Sequence, residues 1–377
     1  MKKVFFSSLA LLILALIFLA AYNFAFRNNV STPKSGDGAQ KPSEASPTTP
    51  ADENTSSVSS EVSNPVNEAV LAPVTSSDGT LYYYSVDDKA LKKATLEGKD
   101  KAVLLNNLPG TPERVLWSPK RDKILLLIGG HWYFSDIANK TLVDLKEGII
   151  NTAWNSLGDK IFYIYRDPSG AQSVNTANPD GSNWQALSDL PPGGFFLANI
   201  PQTPGLSLWK RPSAPEKTLF ERITPGGSPE KLFEGPYGAD YLWAPSGDKV
   251  AISSSNGPGG ESLNVSLIDK QGGGLRSLAI PTLVSKLAWS RDGGTLYFAL
   301  PGGLPQGTVL PNDYFGKGLK SRDTFWKIDV TTNKKTRLLD TEAIGQDFDS
   351  SDLFLSPKED ALFFTDRTTK KLYRIDL

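Results

Sequence analysis

The sequence predicts an all-β chain assembled from repeated four-stranded units, and three observations carry that expectation. The first is a short phrase that recurs. It reads Trp-Ser-Pro-Lys-Arg-Asp-Lys-Ile from Trp117 and Trp-Asn-Ser-Leu-Gly-Asp-Lys-Ile from Trp154. It returns as Trp-Ala-Pro-Ser-Gly-Asp-Lys-Val from Trp243 and Trp-Ser-Arg-Asp-Gly-Gly-Thr-Leu from Trp289, and a worn copy, Leu-Ser-Pro-Lys-Glu-Asp-Ala-Leu, starts at Leu355. The second is the spacing. Copies recur at about 40–50 residues, each between two apolar, β-prone runs, which is the signature of a β-propeller blade. The third is composition: aromatics make up 10% of the chain and there is one Met, which suits a rigid β core.

Taken in order, the chain opens on a basic Met1-Lys2-Lys3. Residues 4–26 are then apolar apart from Ser7, Ser8, Tyr22 and Asn23, and carry no charge. A run of about 20 such residues spans a bilayer as a helix. Lysines before it and a weakly charged stretch after it favour a cytoplasmic N-terminus. A cleaved signal peptide is the competing reading. Cleavage wants small residues at the −1 and −3 positions, but Ala21 is preceded at −3 by Leu19 and Ala20 by Phe18. An uncleaved anchor over residues 1–27 is therefore expected. Residues 28–67 are rich in Ser, Thr and Pro and cannot bury enough apolar surface to offset the entropy of ordering, so a disordered linker is expected there. These features place the remainder, residues 68–377, outside the cytoplasm on a single-pass tether, in a periplasmic or extracellular setting.

Residues 68–377 read as strands throughout. The first three units each supply short β-prone runs with turn residues between them. The gap from Trp154 to Trp243 is about twice one period, so a degenerate fourth unit is placed there, using residues 206–209, 218–220 and 231–233. The fifth, sixth and seventh units start near Asp240, Ser285 and Leu353. The count is seven, with six as the alternative. The last unit lacks a fourth strand. Because an open ring would leave an unpaired edge, residues within 58–71 are expected to pair with the last unit and close the ring.

Folding alone explains the phrase. The Trp ends the innermost strand and fills the gap between blades. Ser-Pro or Ala-Pro stops the strand, since Pro cannot donate to a ladder, and Gly and Asp make the reversal. The acidic residue of the phrase is read as a turn-former rather than a ligand. Together with Ala-Asn-Pro-Asp-Gly-Ser-Asn at residues 177–183, the phrase resembles the repeat of TolB-like (PD40) β-propellers, a style shared with the propellers of prolyl oligopeptidase and dipeptidyl peptidase IV. The resemblance covers roughly residues 68–377. It implies a propeller fold and leaves the function open.

Several chemistries are disfavoured by residue type. Net charge is −1 with acids and bases intermixed, unlike a nucleic-acid binder. With no Cys and a single His, His131, Cys-based zinc sites and His-rich metal clusters are excluded. There is no Gly-x-Ser-x-Gly elbow, and no Walker or Rossmann glycine pattern. Asp347, Asp349 and Asp352, and the pair Asp87 and Asp88, could hold a cation but read as exposed loop acids. No catalytic, cofactor or metal site is expected. One feature departs from blade economy: residues 301–323, a long stretch inside the sixth unit with aromatic and charged residues together, a mixture common at recognition surfaces. Tyr314, Phe315, Lys317 and Arg322 are the candidate contact residues, and residues 191–204 form a second candidate stretch. The expected function is non-catalytic binding of a protein or peptide, with a glycan-binding or glycan-cleaving propeller, or a structural envelope component, as alternatives.

Overall fold

The structure is a computed structural model and describes residues 61–340 and 344–377. Among these residues the chain is antiparallel β throughout, in consecutive units of four strands. A lead-in strand, β1 (Val62–Ser63), comes first. Blade 1 is β2 (Val70–Thr75), β3 (Thr80–Ser85), β4 (Ala90–Thr95) and β5 (Ala102–Leu105). Blade 2 is β6 (Arg114–Trp117), β7 (Lys123–Ile128), β8 (His131–Asp136) and β9 (Thr141–Asp144). Blade 3 is β10 (Ile149–Trp154), β11 (Ile161–Arg166), β12 (Gln172–Ala177) and β13 (Gln185–Leu190). Blade 4 is β14 (Phe195–Asn199), β15 (Leu206–Lys210), β16 (Lys217–Ile223) and the first part of β17 (Glu230–Trp243). The end of β17 then opens blade 5, with β18 (Lys249–Ser255), β19 (Leu263–Asp269) and β20 (Arg276–Ser277). Blade 6 is β21 (Leu287–Trp289), β22 (Thr295–Gly302), β23 (Arg322–Asp329) and β24 (Lys335–Arg337), with a short helix α1 (Asn312–Gly316) between its second and third strands. Blade 7 is β25 (Ser350–Leu355), β26 (Ala361–Asp366) and β27 (Leu372–Asp376).

Blade 7 takes its fourth strand from the other end of the folded unit. Val62 pairs with Ile375 and Ser63 with Arg374, antiparallel, and Ala69 bridges Lys371. This joins first and last blades and leaves β27 without a free edge. The closing strand thus lies just ahead of residue 68, inside the 58–71 window.

The phrase explains how each blade holds its neighbour. Trp117, Trp154, Trp243 and Trp289 each end the innermost strand of a blade and are buried. Each indole donates backwards to the preceding blade. Trp117 Nε1 reaches Ala72 O at 2.9 Å, Trp154 reaches Leu116 O at 2.9 Å, Trp243 reaches Ser207 Oγ at 3.0 Å and Trp289 reaches Leu242 O at 3.3 Å. One side chain thereby fills the interblade wedge and satisfies its own N–H, as a buried Trp should. Leu355 has an apolar side chain with no N–H to give and packs against blade 6; at the next junction, Thr75 Oγ1 of blade 1 donates back to Leu355 O at 3.2 Å. Blade 4 lacks the phrase, and its junction with blade 3 is filled without a Trp by Phe162, Phe195, Leu206, Leu208 and Ile223. Trp209, Phe220 and Tyr241 join Trp243 at the junction with blade 5, with Phe220 and Tyr241 stacked at 4.1 Å. The acids of the phrase cap its turns, as in Ser118 Oγ to Asp122 at 2.8 Å and Ser356 Oγ to Asp360 at 2.6 Å.

One expectation is corrected. A transmembrane helix followed by a disordered linker was to precede the propeller. Among the described residues no helix is long and apolar enough to cross a membrane. Residues 1–27, and the linker up to residue 60, lie outside the described residues. The architecture carried forward is the all-β part alone.

Candidate functional site

The long stretch of blade 6 is a folded strap. Strands β22 and β23 extend to a last pair, Gly302 with Arg322, and residues 303–321 leave from their ends. The strap is tied to three other blades. On blade 4, Ala214 N donates to Asn312 Oδ1 at 2.7 Å. On blade 5, Leu310 N donates to Gly260 O at 3.0 Å. Gly260 has φ +65°, and a Cβ there would lie 2.4 Å from Leu310 O, so only glycine allows this approach. On blade 7, Arg367 donates from Nη1 to Leu319 O at 3.3 Å and from Nη2 to Tyr314 O at 3.2 Å. Leu263, Leu283, Leu310 and Tyr314 pack beneath it.

The blade 7 anchor rests on a group of buried charges. Lys286 is fully buried in a 3-10 turn, Val284–Lys286, at the entrance to blade 6. Its Nζ lies 2.5 Å from Asp323 Oδ2 and 3.1 Å from Asp349 Oδ1, and donates to Ser350 O at 2.7 Å. Asp349 also accepts from the Tyr314 hydroxyl, from Ser321 Oγ at 2.9 Å and from Arg367 Nη1 at 2.9 Å. The Arg367 guanidinium stacks 3.9 Å from the Tyr314 ring centroid. Burial pushes the Lys286 ammonium down, but the Asp323 charge and the Tyr314 hydroxyl outweigh it, so its pKa is raised. Burial likewise raises Asp349, and the Tyr314 hydrogen bond and the Lys286 charge outweigh it, leaving it below the ordinary carboxylate value.

Between the strap and blades 4 and 5 lies a cavity of about 510 Å³. Its walls are mostly apolar: Phe196, Pro212, Leu263, Leu283, Pro311 and Phe315. Two charged residues line it, Arg211 and Asp240. Asp240 Oδ1 accepts from Trp209 Nε1 at 2.9 Å and from its neighbour's backbone, Tyr241 N, at 3.0 Å. Burial pushes its pKa up to about 6, against those two donors. Arg211 lies against the Phe196 ring at 5.8 Å. The size and lining fit a pre-formed binding site with few polar groups.

The four candidate residues of the strap separate. Tyr314 is fully buried and serves as the anchor, so it is not a contact residue; its ring and hydroxyl are consumed by Arg367 and Asp349. Phe315 is 58% exposed at the cavity rim. Lys317 is exposed and pairs with Asp313 at 3.0 Å, one turn back along the strap. Arg322 is exposed and pairs with Asp347 at 3.4 Å. The candidate acids do not converge: Asp347 faces Arg322, Asp349 is committed to the buried group, and Asp88 pairs with Lys92. Among the described residues no group of three or more His, Cys, Asp or Glu is placed to hold a metal ion. His131 is exposed at the start of β8. From the second candidate stretch, residues 191–204, Phe196 reaches the cavity. Asp240, Arg211 and Lys286 went unnoticed in the sequence. Asp240 and Lys286 occupy ordinary strand-entry positions, and only the ring brings their partners to them.

No family model and no curated protein matches the chain. Solved structures match in fold. The oligogalacturonate lyase from Vibrio parahaemolyticus superposes with a TM-score of 0.63 at 11% identity, over 85% of this chain and 94% of that one. The Cps50 (Swd1) β-propeller domain of Myceliophteria thermophila gives 0.55 at 10% identity, over 84% and 99%. These show a β-propeller fold. TolB from Acinetobacter baumannii also aligns, at a TM-score of 0.45 and 12% identity over 84% of this chain and 63% of that one, too loosely to carry an argument.

Proposed function

We propose that this propeller is a non-catalytic binding module that takes a protein or peptide partner on the strap face. The observation that carries the reading is the cavity beside the strap, roofed at its rim by the exposed ring of Phe315. A strap fixed to blades 4, 5 and 7 keeps that rim in one arrangement, so little ordering entropy is lost on association. The partner inserts one side chain with an apolar stem and a donor tip. The stem meets Phe196, Leu263 and Leu283, and the tip meets Asp240, whose carboxylate accepts from Trp209 Nε1 and Tyr241 N and pairs with no cation among the described residues. Export from the cytoplasm is part of the same proposal and rests on the charge-free apolar run behind the two N-terminal lysines.

The raised pKa of Asp240 supports a second reading, in which that carboxyl is a general base on a glycan, given the fold shared with an oligogalacturonate lyase. Paired-carboxylate hydrolysis does not fit, because Asp240 is the single acidic residue of the cavity lining. The test is affinity cross-linking in the native host with wild type and Phe315→Ala, alongside turnover of oligogalacturonate. Loss of a cross-linked partner in Phe315→Ala, without turnover, supports the binding reading. Equal cross-linking by both proteins, or turnover abolished by Asp240→Asn, rejects it.

A further inference from the structure

A second cleft lies on blade 3, between its outer strands and the connection from blade 2, with a volume of about 240 Å³. It is distinct from the strap cavity and shares no lining residue with it. Strand register puts Tyr163 opposite Asn175 and Tyr165 opposite Ser173, and Ser173 opposite Asp189, so these side chains share one face of the sheet. Trp184, just before β13, is 58% exposed beside them. Lys146 Nζ lies 4.2 Å from the Tyr165 ring centroid and 5.4 Å from that of Trp184.

We propose that this cleft binds a neutral pyranose ring, the terminal or internal sugar of a glycan. The argument runs by the chemistry of the lining. An exposed Trp ring beside a concave polar surface offers a ligand an apolar face to stack on. Its π-face is negative and attracts positively polarised C–H groups, which one face of a pyranose presents. A cationic ligand is disfavoured, because Lys146 already holds an ammonium against both rings. An anionic ligand is disfavoured by Asp167 and Asp189, which both line the cleft. A neutral polyhydroxyl ligand uses both signs, accepting from Lys146 and donating to Asp189. Gln172 supplies the independent sign of a ligand. It is also in the lining and 6% exposed, and its side-chain carbonyl oxygen is buried without a hydrogen-bond partner. A buried acceptor left without a donor in the wall of a cleft is a group waiting for a hydroxyl. The volume is below the range for drug-sized ligands, which limits the deep part of the site to one ring.

The test is a titration of the whole chain, followed by indole ¹⁵N NMR, with methyl glucopyranoside, methyl galactopyranoside and methyl mannopyranoside. Tetramethylammonium and acetate serve as charged controls. The expected result is saturable binding of at least one glycoside that shifts the Trp184 indole. Trp184→Ala, a surface change, should weaken it by at least about tenfold, and Phe315→Ala should leave it unchanged. No saturation by any glycoside up to about 100 mM overturns the proposal. So does saturation by a charged control alone, or undiminished binding in Trp184→Ala. Because Phe315 and Trp184 lie in different clefts, failure here leaves the strap-face reading standing, and the reverse also holds.

Discussion

Replacing Lys286 by Met tests the buried charges that anchor the strap. The methionine fills nearly the same space, so the change removes the ammonium and little else. Asp349 keeps a cation, because Arg367 still reaches it at 2.9 Å. Asp323 does not. It is fully buried, Lys286 is its ion-pair partner, and what remains are hydrogen bonds from Ser321, from Ser350 N and from Ser350 Oγ. Breaking a buried pair by deleting one partner costs about 3–5 kcal/mol, because an uncompensated charge stays behind. At roughly 2.1 cal/mol/K per residue, a folded unit of about 300 residues has an unfolding entropy near 0.6 kcal/mol/K, so the melting point should fall by about 5–8 °C. The second arm is Lys286→Met with Asp323→Asn. Neutralising the stranded carboxylate should recover at least about 1 kcal/mol relative to the single change. Calorimetry and urea unfolding of wild type, both single variants and the double variant complete the cycle. A melting point within about 1 °C of wild type for Lys286→Met, or a double variant no better than the single one, would refute the account.

Other consequences concern neighbouring features. Gly260→Ala places a Cβ 2.4 Å from Leu310 O and strains a positive φ. It should cost about 1–3 kcal/mol and speed amide exchange over residues 303–321, while blades 1–3 exchange as before. Glu68 accepts from Lys101, Ser85, Lys92 and Tyr83, which outweigh burial and hold its pKa at about 2 against an ordinary 4.5. It therefore contributes stability that is present above pH 4.5 and drains as pH falls toward 2, about 3 kcal/mol in all. Glu68→Gln should flatten that acid limb in pH-dependent urea unfolding. Asp240 has the opposite sign: burial raises it from 3.8 to about 6, so its ionised form opposes folding and stability is lost as pH rises through that window. Asp240→Asn should be stabilising at pH 8, by at most about 3 kcal/mol, and near neutral at pH 4.

The repeat made the propeller legible because each copy encodes a complete local device. Strand end, wedge-filling indole and turn all fall within about eight residues, and the indole's partner is always one blade back. The eroded fourth blade was legible only as a gap, since Phe195, Leu206, Leu208 and Ile223, from three different strands, pack against blade 3 in place of one indole. The strap was legible as an anomaly of length. Its composition suggested a recognition loop, and all four of its aromatic and charged candidates were given equal weight. Sequence could not separate Tyr314 from Phe315, adjacent rings of which one is buried and the other 58% exposed. What decides between them is Arg367 and Asp349, some 35–53 residues downstream, brought there by the packing of blade 7 against blade 6. Asp240 and Lys286 escaped for the same reason: nothing local marks a strand-entry residue as charged and buried.

The composition of the strap's anchor bears on what the strap does. Leu or Ile at these positions would hold it down at least as well, since well-packed apolar replacements of buried ion pairs are often neutral or stabilising. Apolar contacts, however, tolerate sliding. The Tyr314 hydroxyl and the Arg367 guanidinium must both meet Asp349, while Arg367 also meets Tyr314 O and Leu319 O. Few placements of α1 satisfy all of these at once, and the same placement sets Phe315 at the cavity rim. We therefore take the buried charges to specify position rather than to add stability. The double variant Lys286→Met with Asp323→Asn separates the two roles. Its melting point should recover, yet amide exchange over the strap should quicken and Phe315-dependent cross-linking should fall. Recovery of all three would mean that the ionic group adds nothing to the placement of the rim, and that the apolar contacts under the strap suffice.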